Sequence, residues 1–186
     1  MSTTDSISAW ATSSDMTGLR TLLLFMLALP AWAADQDAEI DRFLGETLGK
    51  PPAAELLWIV GDLQPAVRTI LEHDYPAARV RYWRSEKRTV WVLDEIGKEM
   101  PITVGIAINN GAVERVKVLV YRESRGWEVK SPAFTAQFSG AKLAEGQRLD
   151  RHIDGISGAT LSVRALSRLT RLALLLDRHV NKGAKL

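Results

Sequence analysis

The chain predicts an α+β fold: an antiparallel β-sheet meander with helices packed on one face and a long C-terminal helix. Three observations carry this. Between Arg79 and Arg122 lie four runs rich in β-branched and aromatic residues, several of them alternating with period two. Asn109-Asn110-Gly111 separates the last two, and Asn-Gly tolerates positive φ at both central positions of a hairpin turn. From Ala159 to Asn181 apolar residues recur at three- and four-residue spacing, which marks one face of a helix. Helical patterns before the strands and after them fit helices segregated from an antiparallel sheet.

The elements follow in order. Residues 1–33 read as a secretory signal peptide: Arg20, then the apolar block Leu22 to Leu29, then a small-x-small site ending at Ala33. Met16 is a possible true start, because the basic leader would then run from Met16 to Thr21. The stretch from Leu19 to Ala34 is short of the roughly 20 residues that a membrane crossing needs, so an uncleaved anchor is the alternative. Residues 34–98 form an N-terminal helical and first-strand region. Within it, Ile40, Phe43, Leu44 and Leu48 are helically spaced, with Gly49 and Pro51-Pro52 as a stop. Leu56 to Val60 is apolar and too short for its period to separate helix from strand. Leu63 to Glu72 reads as a helix with Pro65 in its first turn.

Strands are expected at Arg79–Arg84, Thr89–Ile96, Ile102–Asn109 and Ala112–Arg122. In the last, Val116, Val118 and Val120 alternate against Arg115, Lys117 and Leu119. Glu123 to Gly126 breaks the pattern. Ser131 to Phe138 reads as a short helix with Ser131 as N-cap and Pro132 at the first helical position. Ser139 to Arg151 reads as loop. The final helix places Leu161, Ala165, Leu166, Leu169, Leu172, Ala173, Leu176 and Val180 on one stripe.

Composition narrows the chemistry. The 186 residues are 46% hydrophobic and 25% charged, as in a folded globular chain. There is no cysteine, which excludes disulfides, thiolate-bound metal and a thiol nucleophile. The net charge of +2, spread along the chain, gives no footprint for nucleic acid. His73, His152 and His179 are scattered and lack metal-ligand spacing, so no zinc site is expected.

The most informative stretch is Asp154-Gly155-Ile156-Ser157-Gly158-Ala159-Thr160, directly before the long helix. Two readings fit it. One is a Gly-rich capping turn, with Ser157 or Thr160 as the cap. The other is an anion site: unpaired N–H groups and the helix dipole favour a phosphate there, and Thr160 adds a hydroxyl. The stretch is neither a Walker loop nor a nucleophile elbow.

The same seven residues resemble the flavinylation motif of the FMN-binding domain family, which includes the flavin-bearing subunits of sodium-pumping quinone reductases and Rnf-type complexes. The resemblance extends over Gly105 to Asn109, Asn110-Gly111, Val113 to Tyr121, Glu123-Ser124-Arg125-Gly126-Trp127 and Phe134 to Phe138. Arg125 and Trp127 depart from the small or Leu-type residues usual after the Glu-Ser pair. The resemblance implies an FMN-binding domain over residues 99–182. It implies FMN joined through a phosphoester to Thr160, with Asp154, Ser157, Gly158 and Ala159 completing the motif and Glu123, Ser124 and Trp127 near the cofactor. It further implies a flavin transferase using FAD as partner and a periplasmic or other extracytoplasmic location. The chain would be an electron carrier, served by a membrane-bound donor, rather than a stand-alone enzyme. An accessory module of the same fold without attached flavin is the alternative.

Overall fold

A computed structural model describes residues 31–183. Asp35–Leu186 forms one compact unit; Met1–Ala34 is a separate one, of which only the first turn of a helix is described. The expected signal peptide therefore lies outside the described residues, apart from that turn.

Helix α1 (Ala31–Leu48) is followed by strand β1 (Glu55–Trp58), helix α2 (Leu63–Leu71), and strands β2 (Arg79–Ser85), β3 (Arg88–Ile96), β4 (Pro101–Asn109) and β5 (Ala112–Tyr121). A 3-10 turn (Trp127–Lys130), the short helix α3 (Pro132–Thr135) and a second 3-10 turn (Ala136–Phe138) lead toward helix α4 (Thr160–Gly183). The sheet order is β1-β2-β3-β4-β5, every pair antiparallel, so strands from residues 34–98 and from residues 99–182 build one sheet. The run left open at Leu56 is the edge strand β1. Asn110 and Gly111 take φ of 51° and 75°, the left-handed pair that a tight β4–β5 hairpin needs.

The expected packing of helices on one face holds for α2 and α4. Leu166, Leu169, Leu172, Ala173 and Leu176 of α4 and Val67, Ile70 and Leu71 of α2 cover Trp91, Leu93, Ile102, Val104, Ile106 and Ile108. Helix α1 instead takes the opposite face, where Ile40, Phe43 and Leu44 meet Trp83, Val90, Ala107 and Leu119. The physical reason is visible in β4: all of Ile102 to Ile108 is buried, and a strand covered on both sides carries a continuous apolar run rather than an alternation. Gly105 makes room for α1, since a Cβ there would lie 2.5 Å from Phe43 Cε1.

Strand β5 departs from simple alternation at two places. Opposite Thr103 and Val104 the partner steps from Val120 to Val118; opposite Ala107 and Ile108 it steps from Arg115 to Val113. Leu119 and Glu114 are the extra residues of these bulges. Val116 and Val118 consequently face α4, whereas Leu119 and Val120 both pack toward α1.

Helix α4 is pinned across β3 by a buried polar link. The Asp177 carboxylate accepts from Thr89 Oγ1 at 2.6 Å and from Asn181 Nδ2 at 3.0 Å, while Trp91 Nε1 donates to Thr89 Oγ1 at 3.0 Å. Burial pushes the Asp177 carboxyl above its ordinary range against the pull of these donors. Leu161 leaves the expected stripe: it is 41% exposed in the first turn of α4, while Ala159 and Ser162 beside it are buried.

Candidate functional site

The start of α4 is built without a side-chain cap. Ile156 O accepts from Ala159 N–H at 3.0 Å, and Gly158 between them has φ of 81°, the left-handed value a type II turn requires at that position. Ala159 O then accepts the first helical bond, from Val163 N–H at 3.0 Å. Ala159 is thus the N-cap residue and Thr160 the first helical one. Neither Ser157 nor Thr160 caps the helix, because the turn places an alanine at that position. Among the described residues no acceptor takes the N–H of Thr160, Leu161 or Ser162. These donors, the partial positive charge of a helix start and the exposed Thr160 side chain stand together.

A cleft of about 620 Å³ opens here, within the range of small-molecule sites. Its walls include Gly158, Ala159, Thr160, Leu161 and Ser162 from α4 and its turn, Glu123, Ser124 and Arg125 from the segment after β5, and Lys98 and Glu99 from the β3–β4 turn. The second and third walls are tied together by Glu123. Its Oε1 accepts from the backbone N–H groups of Lys98, of Glu99 at 2.8 Å and of Met100 at 3.0 Å. Partial burial pushes the Glu123 carboxyl up, but the three N–H donors together outweigh it and hold the group below the usual carboxylate range. Gly97 leaves space for this contact, since a Cβ there would lie 2.8 Å from Glu123 Oε1.

The sign of the linkage gives a prediction. A carboxyl depressed in the folded state stabilises above its unfolded pKa, and that contribution is lost as pH falls through the folded value. Thermal unfolding of the wild type and of Glu123→Gln should therefore differ most near neutral pH, with the variant less stable. The two midpoints should converge as the pH drops below the carboxylate range. A constant difference across the acid range would contradict this role for Glu123.

The wall after β5 is locked to α4 by residues that the sequence did not single out. Tyr121 Oη donates to Arg125 O at 2.5 Å and lies 3.0 Å from Ser162 Oγ. Gly126, at φ of 83°, is pressed into this junction: a Cβ would meet Tyr121 Oη at 2.8 Å and Ala159 Cβ at 3.2 Å. Gly126 carried a weak signal as a pattern breaker. Tyr121 and Ser162 carried none, because a strand-end tyrosine and a first-turn serine have many uses. Lys98 and Glu99 sit in a turn whose proximity to Thr160 only the fold reveals.

The structure brings Thr160, Gly158, Ala159, Glu123 and Ser124 to the cleft. Three of the other residues named from the resemblance lie outside its walls. Asp154 is strongly exposed, with His152 Nε2 3.7 Å from its carboxylate and its backbone N–H donating to Gln137 Oε1 at 2.8 Å. Ser157 is exposed in the turn. Trp127 is 65% exposed, in the 3-10 turn that follows Gly126. Phe134 and Phe138 are core residues in edge-to-face contact at 5.8 Å. Among the described residues no cluster of His, Asp or Glu is arranged to hold a metal ion.

Comparison with known proteins bears on this geometry. Residues 97–175 match the family model of the FMN-binding domain. None of the curated proteins matches the chain. The matched stretch begins at Gly97, takes in β4, β5 and every wall of the cleft, and ends inside α4. Over residues 97–175, which carry the whole cleft, this chain therefore matches the FMN-binding domain family.

Proposed function

We propose that the chain is an exported electron-transfer flavoprotein that carries FMN as a phosphoester on Thr160 and relays electrons between a membrane-bound donor and an extracytoplasmic acceptor. One observation carries this reading: an exposed hydroxyl at the first position of a helix whose opening N–H groups have no acceptor among the described residues. A phosphate esterified there would lie against those donors, with the helix dipole favouring its charge. Lys98 and Arg125 in the cleft walls add positive charge. Glu123 fixes the β3–β4 turn with its own charge already engaged by backbone donors. Leu161, exposed in the cleft wall, offers apolar surface beside the helix start. When bound, the flavin supplies one- and two-electron redox chemistry, and the protein supplies anchoring and electrostatics.

Attachment requires a partner flavin transferase using FAD. A bond forms between Thr160 Oγ1 and the phosphorus of the FMN half of FAD, the pyrophosphate bond breaks, AMP leaves and the hydroxyl proton is released. Export rests on residues 1–33. The test is the intact mass of the exported protein made with and without a co-expressed flavin transferase. The expected gain is the mass of FMN less one water, retained after denaturation. A polypeptide at its amino-acid mass in both hosts overturns the reading and leaves the accessory module.

A further inference from the structure

On the α1 face, cover stops short of the edge of the sheet. Helix α1 buries Trp83, but β1 and the first half of β2 lie beyond it. Leu56 pairs with Arg81 and Trp58 with Arg79, so these four side chains share that face, and Val60 lies two residues past the end of the strand. Leu56, Trp58 and Val60 are 50%, 54% and 61% exposed, whereas Leu57 and Ile59 between them turn to the core. Arg79 stands 5.7 Å from the centre of the Trp58 ring and Arg81 stands 6.0 Å from that of Trp83. Both arginines are exposed, and neither has a carboxylate at ion-pair distance among the described residues.

We propose that this row of Leu56, Trp58 and Val60 with Arg79 and Arg81 docks on an anionic lipid surface. Three apolar side chains and two arginines are far fewer than the roughly 20–30 residues a side that a stable protein interface uses. A lipid surface needs no complementary shape. Trp is the residue favoured at a membrane–water boundary, and unpaired arginines are drawn to anionic headgroups. The inference is independent of the flavin: it rests on β1 and β2 alone, outside the matched domain.

The lack of cysteine makes the test clean. The full chain is labelled with an environment-sensitive fluorophore at Val60→Cys, or at Glu145→Cys as a control, and mixed with vesicles of phosphatidylglycerol and phosphatidylcholine or of phosphatidylcholine alone. The expected result is a blue shift at position 60 and none at 145, with anionic vesicles only. Arg79→Glu with Arg81→Glu should weaken that response about tenfold or more, and about 0.5 M salt should suppress it. Vesicle binding that leaves the label at position 60 unchanged would mean that the apolar run Leu22 to Leu29 does the binding, and would overturn the proposal. So would an equal shift on uncharged vesicles. A label already shifted without lipid would overturn it in favour of cover by the chain's own terminal residues, or of a second copy if the shift grows with protein concentration.

Discussion

Thr160→Ala is expected to abolish flavin attachment, so that the denatured, washed protein carries neither FMN mass nor yellow colour. The change removes one hydroxyl and little else. Thr160 is exposed, makes no side-chain hydrogen bond among the described residues and begins a helix, where alanine is well tolerated. A surface change of this kind shifts stability by only about 0.5 kcal/mol, so loss of flavin from a folded variant reports the chemistry of the acceptor and not the fold. Thr160→Ser keeps an oxygen at the same place and should retain attachment in part. Ser157→Ala should retain it fully, because Ser157 lies in the turn and not in the cleft wall. FMN mass on the Thr160→Ala protein would place the tether on another side chain.

The largest expected loss of stability lies on the opposite face. Phe43 is fully buried and occupies the space that Gly105 leaves open in β4. Phe43→Ala should cost about 3–5 kcal/mol, a large fraction of the roughly 5–15 kcal/mol that holds a domain folded. Gly105→Ala attacks the same contact from the other side, by forcing a Cβ to within 2.5 Å of the ring, and should cost about 1–3 kcal/mol. Because one contact carries both effects, the double variant should be more stable than the sum of the two losses implies. Urea unfolding midpoints read this directly. Strict additivity, or a Phe43→Ala midpoint equal to that of the wild type, would show that α1 does not pack on the sheet through Phe43.

These two positions also show what the sequence made legible. Four of the five strands, the Asn110-Gly111 hairpin and the α4 stripe follow from period and turn chemistry, which are local. The tight turn before α4 is also local, since Gly158 stands next to the helix it opens. The placement of α1 was not. Its apolar spacing says that one side is buried but not against which face, and the deciding residue, Gly105, lies about sixty positions away. The bulges at Glu114 and Leu119 were hidden for a related reason: a one-residue insertion against the partner strand shows only when both strands are aligned. Residue preference favours a hydroxyl cap at Ser157 or Thr160, whereas the turn geometry puts Ala159 there. The cleft wall from Lys98 to Glu99 depends on Glu123 reaching across the sheet end, a contact between residues about 25 apart.

The beginning of α1 bears on how such a redox group would be presented. Arg122, next to Glu123, donates from Nη2 to Gln36 Oε1 at 2.7 Å. Gln36, near the start of α1, thus lies at the end of the sheet whose Lys98, Glu99 and Glu123 line the Thr160 cleft. A group carried on Thr160 would therefore stand at the Gln36 end of the sheet, about 36 Å along the 24-residue α4 from Gly183.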